Sequence, residues 1–241
     1  MAFWLKEFAA CPTVVVANGE VPSSELSLNI LKTRKRVVCC DGALQKLLSV
    51  NIIPDLVVGD GDSMHGQLSD SITDSDTPDG DSVCRVCAEG HQIPYYPDKS
   101  EEYNDLQKAL KHCMANGYND VLLLGCGGLR EDHFIANLSI LVMYSAWIRL
   151  AMLTEHGVFD IIRGEGRLNA FPGMQVSVFP RNPQTPITFE GLKYPVHDRC
   201  FTWLWEGSLN EAVGESFTVR TPEQGMFTPS ALVYRTLQPS S

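Results

Sequence analysis

Two aspartates, Asp60 and Asp62, follow a short apolar run and are separated by a single glycine. The run, residues 56–58, contains two β-branched residues and no polar alternation, which is typical of a buried strand. If the chain stays extended, both carboxylates lie on one face about 6.6 Å apart, at about 3.3 Å rise per residue. At an effective dielectric near 20, two bare charges at that separation repel by about 2.5 kcal/mol. Water or a cation must screen them, so the motif is either an acidic turn or a metal site.

A third acidic side chain, Asp41, is predicted at the same edge of a sheet. Apolar runs at residues 13–17 and 36–40 end in glycine-containing turns, and segments of helical spacing separate the successive runs. Strands that alternate with helices predict a parallel sheet, and such sheets bind ligands at the carboxyl ends of their strands. We therefore expect Asp41, Asp60 and Asp62 to lie at one ligand-binding edge.

A helix predicted over residues 104–114 supplies a further carboxylate. Its apolar stripe has helical spacing, and Asn104 is a suitable N-cap. Asp105 then lies in the first turn, where a negative charge complements the positive end of the helix dipole. The residue types leave open whether Asp105 only stabilises the helix or also binds a ligand.

A fourth predicted strand, residues 120–125, leads into a glycine-rich turn and a helix predicted from about residue 134 to 143. Such turns bind phosphate through backbone N–H groups, although the complete dinucleotide-binding or P-loop pattern is absent. Arg130, Asp132 and His133 lie between turn and helix. They are either a surface charge cluster or a phosphate-binding group.

Composition limits the classes of function. The chain has 241 residues, 44% of them hydrophobic, and a formal charge of -10. This negative charge argues against a nucleic-acid-binding surface. It is compatible with anionic substrates only when metal ions neutralise the charges of both the protein and the substrate. The first ten residues lack the apolar core of a signal peptide, and the longest apolar tract, residues 138–147, is too short to span a bilayer. We expect a soluble, cytoplasmic protein with no membrane or nucleic-acid partner.

Most of the eight cysteines are predicted to be small apolar fillers in a reducing compartment. The six in apolar or helical patterns are Cys11, Cys39, Cys40, Cys113, Cys126 and Cys200. Cys84, Cys87 and His91 make a weak zinc signal, because no second pair has the expected spacing.

Residues 65–92 read as a solvated acidic segment. Asp74, Asp76 and Asp79 do not match the spacing of a calcium-binding loop. A hairpin is possible around residues 83–86 and 93–96.

From about residue 155 the pattern changes to short β-rich runs separated by Gly and Pro turns. This pattern predicts an all-β sandwich or barrel. We therefore predict a Rossmann-like α/β domain with a mostly parallel sheet over residues 1–153 and a β-rich domain over residues 154–241. The runs are residues 158–162, 175–179, 187–189, 202–205, 217–220 and 231–234.

In order along the chain, these motifs resemble those of the thiamine pyrophosphokinase family. The matching segments are Asn18-Gly19, Cys40-Asp41-Gly42, residues 54–63, residues 104–110, residues 125–133 with Asn137-Leu138, and residues 191–194. The resemblance implies a homodimer in which each site lies between an α/β nucleotide-binding domain and the partner's β domain. It also implies a Mg²⁺-dependent transfer of pyrophosphate from ATP to the hydroxyethyl oxygen of thiamine, giving thiamine diphosphate and AMP.

The resemblance also implies a role for individual residues. Asp60, Asp62 and Asp105 would hold Mg²⁺ and be catalytic, together with Asp132 and Arg130. The residues expected at the nucleotide are Asn18, Asp41, Gly42, Asn104, Arg130 and His133. Those expected at thiamine are Lys99, Ser208, Asn210 and Phe227. Leu209 departs from the family pattern, since it occupies the position of a serine before the asparagine.

Two other functions use the same residues. In an aspartate-dependent phosphatase or phosphotransferase, Asp60 would be the nucleophile and Asp62 the acid, but that chemistry usually places its Asp-x-Asp after the first strand. A non-enzymatic nucleotide- or metal-binding module would bind ATP and leave it intact.

Overall fold

The computed structural model describes residues 2–64, 68–73, 82–222 and 231–238. They form two compact units, one of residues 8–137 and one in which residues 1–7 join residues 138–241. The division falls within a helix, ahead of the boundary predicted between residues 153 and 154. That boundary remains a prediction.

The α-helix α1 (Ala2–Glu7) belongs to the second unit, and the remaining α-helices begin in the first. The helices that follow are α2 (Glu25–Thr33), α3 (Leu44–Ser49), α4 (Asp105–Ala115) and α5 (Glu131–Tyr144). The strands of the first unit are β1 (Thr13–Val16), β2 (Arg36–Cys40), β3 (Leu56–Gly59), β4 (Leu68–Thr73), β5 (Ser82–Ala88), β6 (His91–Pro97) and β7 (Asp120–Leu124).

The first unit contains a mixed sheet in the order β7-β1-β2-β3-β6-β5-β4. The five strands from β7 to β6 are parallel, and β5 and β4 are antiparallel additions. β1 is buried along its whole length, as expected for a central parallel strand that helices cover on both faces. The predicted strands and helices of this part are confirmed, except that α5 begins three residues earlier than expected.

Capping residues explain where two helices begin. Ser24 caps α2 by accepting a hydrogen bond from the Ser27 N–H. Asn104 and Gln107 form a reciprocal capping box at the start of α4. Each such cap contributes about 1 kcal/mol, and here the second one fixes the turn that carries Asp105.

The hairpin predicted around residues 83–86 and 93–96 is present as β5 and β6. Strand β4, which pairs with β5, was not predicted, because its polar sequence has no strand-like alternation. Asp74, Asp76 and Asp79 lie outside the described residues.

In the second unit, strands from residue 149 onward pair antiparallel in two groups, ordered β14-β11-β16-β9-β8 and β10-β15-β12-β13. These strands are β8 (Arg149–Leu153), β9 (Gly157–Ile162), β10 (Glu165–Asn169), β11 (Gln175–Pro180), β12 (Ile187–Glu190), β13 (Val196–Arg199), β14 (Asn210–Glu211), β15 (Ser216–Arg220) and β16 (Ala231–Thr236). The prediction of a separate all-β part is confirmed.

The strand predicted over residues 202–205 is wrong. The chain forms a 3₁₀ helix there, Leu204–Gly207, and the Glu206 carboxylate accepts a hydrogen bond from the Trp203 N–H. Aromatic residues favour strands by pattern, but this local side-chain bond competes with strand pairing.

A buried ion cluster lies in the second unit. The Arg235 side chain has no exposed surface and contacts the carboxylates of Glu7 and Asp160 at 3.1 and 2.8 Å. It also donates to the Asn169 carbonyl at 2.7 Å. Burial raises the pKa of Asp160, although Arg235 opposes that shift. The cluster ties α1 to β9 and β16.

In the described part of the chain, no helix is long and apolar enough to cross a membrane. Cys39, Cys40, Cys113 and Cys126 are buried, as the filler prediction requires, and Cys11 is half-buried. For Cys200 the prediction is wrong, because that residue is exposed.

Candidate functional site

The turn after β1 is held against the loop after β7 in the first unit. The Gly19 N–H donates to the Gly125 carbonyl, and the Glu20 N–H donates to the Gly127 carbonyl, each at 2.7 Å. A side chain at Gly19 would overlap the Gly125 and Gly127 carbonyls, so a glycine is required for this close approach. Lys46 donates to the Asn18 side-chain oxygen at 2.6 Å, which fixes the Asn18 side chain.

Asp41 is 2% exposed at the end of β2. Its two carboxylate oxygens accept from the Gly42 N–H at 2.6 Å and the Gly61 N–H at 3.1 Å. Burial and the neighbouring charge of Asp105 raise the pKa of Asp41, while the two backbone bonds oppose the shift. Asp41 therefore connects the end of β2 to the loop that carries Asp60 and Asp62.

That loop is not extended, which corrects the geometry assumed for the two aspartates. Gly61 has a φ of 89°, and a 3₁₀ turn follows at Asp62–Met64. The Asp62 N–H donates to the Asp60 carboxylate at 3.1 Å. This bond, followed by the one from Lys108, lowers the pKa of Asp60. A glycine adopts the left-handed conformation with little strain, so Gly61 permits the turn.

Lys108 joins two of the predicted metal ligands. Its ammonium lies 3.0 Å from Asp60 Oδ2 and 3.1 Å from Asp105 Oδ1, and its side chain is only 3% exposed. Burial lowers the pKa of Lys108, but the bonds to the two carboxylates outweigh it and the net pKa is raised. Lys108 was not among the predicted site residues. The available signal was its position three residues after Asp105 on one helix face.

Asp60, Asp62 and Asp105 offer the carboxylate oxygens that Mg²⁺ prefers as ligands. Two of them, Asp60 and Asp105, already contact one positive charge, the ammonium of Lys108. An oxygen-only set is what this ion requires, and the ammonium of Lys108 marks the point where Asp60 and Asp105 converge. Within the described residues, no three His, Cys, Asp or Glu side chains are grouped closely enough to hold a metal, so the structure brings Asp60 and Asp105 to one cation but does not gather Asp62 with them. Cys84, Cys87 and His91 are among the described residues, so a zinc site there has no structural support.

A cavity of about 540 Å³ opens beside these residues, within the size range of small-molecule sites. The predicted site residues that line it are Asn18, Asn104, Asp105, Arg130 and His133. Lys46, which sequence reasoning did not single out, also lines it. The cavity thus combines the ends of β1 and β2 with the starts of α4 and α5.

Arg130 and Asp132 pair with each other at 2.6 Å, and their side chains are 68% and 62% exposed. The Asp132 carboxylate also accepts from the His133 N–H at 3.0 Å. Bonding to Asp132 raises the pKa of Arg130, and the same bond lowers the pKa of Asp132. An exposed pair contributes little to stability, so this arginine remains available to a ligand.

The residues predicted at thiamine lie in different environments. Lys99 is exposed in the loop after β6, and the preceding residue, Asp98, donates its N–H to the Gly59 carbonyl at 2.8 Å. In the second unit, the Ser208 hydroxyl donates to the Trp205 carbonyl at 2.7 Å. Phe227 lies outside the described residues.

Asn210 is 5% exposed, and backbone groups occupy its amide. Its oxygen accepts from the N–H groups of Tyr194 and Glu211, and its nitrogen donates to the Tyr194 carbonyl at 2.8 Å. The side chain therefore braces the segment around Tyr194, and a direct thiamine contact stays a prediction.

Comparisons with known proteins identify the class of enzyme to which this fold belongs. A family model described as "Thiamin pyrophosphokinase, catalytic domain" matches residues 28–152, more than half of the chain. A second, "Thiamin pyrophosphokinase, substrate-binding domain", matches residues 157–228. A comparison with curated protein sequences gave no significant match.

Solved structures share the fold at low sequence identity. Thiamine pyrophosphokinase from Bacillus subtilis is 18% identical with a TM-score of 0.67, covering 93% of this chain and 97% of that one. Thiamin pyrophosphokinase from Candida albicans is 17% identical with a TM-score of 0.70, covering 96% and 92%. The yeast enzyme is 15% identical with a TM-score of 0.68, covering 93% and 85%.

The chain belongs to the thiamin pyrophosphokinase family. It is an enzyme of the class that forms thiamine diphosphate by pyrophosphate transfer. The phosphatase and the non-enzymatic binding module, which the residues alone left open, are thereby set aside.

Proposed function

We propose that this chain transfers the terminal pyrophosphoryl group of Mg²⁺-ATP to the hydroxyethyl oxygen of thiamine and releases AMP. The observation that carries the proposal is the convergence of Asp60 and Asp105 on one cationic position beside the cavity. A polyphosphate can bind near carboxylates only when a cation lies between them, because otherwise the phosphate and carboxylate charges repel each other.

Asp60, Asp62 and Asp105 are the proposed metal ligands. When bound, Mg²⁺ neutralises charge on the polyphosphate and on these carboxylates, and it stabilises the charge that develops on the leaving group. Asp41 holds the loop of Asp60 and Asp62 in place through the Gly61 N–H.

Binding and orientation of the nucleotide are assigned to the residues around the cavity. Arg130 contacts phosphate, since a guanidinium forms paired, charge-assisted hydrogen bonds with such oxygens. Asp132 orients Arg130 through their direct pair. Asn18, Gly42, Asn104 and His133 form the nucleotide-facing rim.

Thiamine is assigned to Lys99, Ser208, Asn210 and Phe227, which rests on the family resemblance. Asn210 is proposed to act through Tyr194, whose backbone it holds. A Rossmann-like classification of the first unit and a domain boundary at residues 153/154 are proposed on the same basis.

A homodimer and a cytoplasmic location complete the proposal. Trp203, Leu204 and Trp205 are consecutive and 65%, 67% and 72% exposed, and such apolar surface is typical of interfaces. The eight cysteines are all free thiols, which suits a reducing compartment. Sedimentation of the purified protein tests the dimer, since one chain has a mass of 26.7 kDa.

The reaction is tested by incubating the protein with Mg²⁺, ATP and thiamine and identifying the nucleotide product. AMP formed in equal amount to thiamine diphosphate is expected. ADP as the product, or AMP formation that does not depend on thiamine, contradicts the proposal.

The metal assignment is tested with Asp60→Asn, Asp62→Asn and Asp105→Asn. Each removes one negative charge at nearly constant size, and we expect turnover to fall at least about 100-fold with the fold intact. Glu102→Gln, an exposed change in the loop before α4, is the matched control and should keep the original rate. Wild-type turnover in the three aspartate variants would refute the assignment.

A further inference from the structure

We propose that Lys108 is an internal counter-ion, which occupies the cation position between Asp60 and Asp105 and is displaced from it when a divalent cation binds. The inference rests on the proposed role of these two carboxylates as metal ligands. It adds a positioning residue to the site and makes metal binding a competition with the protein's own ammonium group.

The burial pattern of the three side chains supports this role. The Lys108 side chain is 3% exposed, whereas those of Asp60 and Asp105 are 37% and 33% exposed. The lysine therefore approaches the carboxylates from the protein side and leaves their other side open to solvent. A buried lysine is rare unless it is paired, and here both of its partners are carboxylates.

The contact geometry makes the two cations compete for the same two carboxylate oxygens. The ammonium lies 3.0 Å from Asp60 Oδ2 and 3.1 Å from Asp105 Oδ1. Mg²⁺ binds carboxylate oxygens at about 2.0–2.1 Å, so an ion held by these same oxygens would lie within a few ångströms of the ammonium. Like charges at that separation repel strongly in a partly desolvated site. An ion that binds through these two oxygens therefore displaces the ammonium.

The surrounding charge explains why such a counter-ion is useful. Asp41 is buried nearby, and burial, together with the charge of Asp105, raises its pKa. Without a cation, three carboxylates would repel each other at the ends of β2 and β3 and the start of α4. Lys108 offsets that repulsion while the site lacks metal, so the carboxylates stay positioned for the incoming ion.

The movement needs only the side chain, because the backbone of Lys108 is fixed. Its N–H donates to the Asn104 carbonyl at 3.0 Å within the capped first turn of α4. The side chain has four rotatable carbon–carbon bonds, which allow the ammonium to leave without unfolding the helix.

The test measures Mg²⁺-dependent thermal stabilisation of the full chain without nucleotide or thiamine. We expect Lys108→Met and Lys108→Gln to reach half-maximal stabilisation at a Mg²⁺ concentration at least about 10-fold lower than wild type, because the competing charge is gone. Lys111→Met is the matched control and should keep the wild-type midpoint. Lys111 lies on the same helix, with its ammonium 3.6 Å from the centre of the Tyr103 ring.

An unchanged or higher midpoint in both Lys108 variants overturns the inference, as does the absence of any Mg²⁺ response in wild type and variants. The variant Asp60→Asn shows whether a negative result concerns only the role of Lys108 or the proposed metal ligands themselves. If it abolishes the Mg²⁺ response while Lys108→Met keeps the wild-type midpoint, the metal assignment stands and only the role of Lys108 fails. If Asp60→Asn keeps the wild-type response, the metal assignment itself fails.

A second measurement uses wild type, so it does not depend on the folding of a variant. Acetylation of amines, followed by mass spectrometry of the peptides, reports the accessibility of each lysine. Lys108 should react faster when Mg²⁺ is present, whereas Lys111 should react at the same rate with and without it. Equal protection of Lys108 under both conditions contradicts its displacement.

Discussion

The Asp41 carboxylate accepts a hydrogen bond from the Gly61 N–H at 3.1 Å, across the ends of two neighbouring parallel strands. Asp41 follows β2, and Gly61 lies between the two aspartates that follow β3. A buried carboxylate thus holds the loop that presents Asp60 and Asp62. Side-chain overlap with Asp41 also excludes any residue larger than glycine at position 59.

Asp41→Ala should lower both stability and turnover. It leaves the Gly42 and Gly61 N–H groups without their acceptor, at a cost of about 1–3 kcal/mol for each group that stays buried. Because the loop of Asp60 is then no longer fixed, turnover should fall at least about 10-fold. Chemical denaturation and steady-state kinetics measure the two effects.

Asp55→Ala is the matched control for that change. Asp55 Oδ2 accepts from the Val37 N–H at 2.7 Å, just before β3 and away from the cavity. The control should lose stability and keep its turnover. Equal losses of turnover in both variants would show that Asp41 acts only through general stability.

Arg130→Met should lower kcat/KM for ATP about 10–100-fold, the range for a lost hydrogen bond to a charged group. The free energy of unfolding should change by less than about 1 kcal/mol, because the Arg130–Asp132 pair is exposed. Arg130→Lys should recover part of the activity through its charge. If KM and kcat for ATP are both unchanged in Arg130→Met, phosphate binding by Arg130 is wrong.

Arg235→Met should destabilise the second unit by about 3–5 kcal/mol, since it leaves the carboxylates of Glu7 and Asp160 without their buried partner. Burial already raises the pKa of Asp160, and loss of Arg235 raises it further. The ionised carboxylate is then the disfavoured form in the folded state. The destabilisation should therefore be largest near neutral pH and shrink as the pH falls through that raised pKa.

Denaturation of Arg235→Met at several pH values measures this dependence. Arg220→Met is the control, because Arg220 pairs with Glu165 and Glu190 at the surface. Its loss should cost at most about 1 kcal/mol. A pH-independent effect of Arg235→Met would show that lost packing dominates over charge.

Leu209→Gly should raise the free energy of unfolding by about 0.5–1 kcal/mol. Leu209 has a φ of 60° and is 81% exposed, so it bears the strain of the left-handed region and has little packing to lose. Relief of about 1–2 kcal/mol exceeds the entropy that glycine adds to the unfolded chain. Val213→Gly, at an exposed residue outside the left-handed region, should be destabilising instead. Thermal melts of both variants decide the sign.

Thiol labelling of the native protein should separate two groups of cysteines. Cys87 and Cys200 are exposed and should react with iodoacetamide at pH 8. Cys113 and Cys126 are buried, and burial raises the pKa of each to about 12, so they should react only after unfolding. Rapid native labelling of Cys126 would contradict the buried position given to it.

The sequence by itself determined the strands and helices of the first unit other than β4, and the change to β structure near residue 155. It did so because apolar periodicity and capping residues are local signals, as Asn104 at the start of α4 illustrates. It also predicted Asp41, Asp60 and Asp62 at one candidate site, since the ends of parallel strands meet at one edge of a sheet. Asp105 was added to that site by the family resemblance.

Tertiary structure decided what those side chains contact. The burial of Asp41, the turn at Gly61 and the 3₁₀ helix after Trp203 depend on local side-chain bonds and backbone geometry that periodicity does not encode. Lys108 shows the limit most clearly, because a lysine on a helix is usually solvated. Its partner Asp60 lies 48 residues earlier in the chain, and only the packing of α4 on β3 brings their charges together.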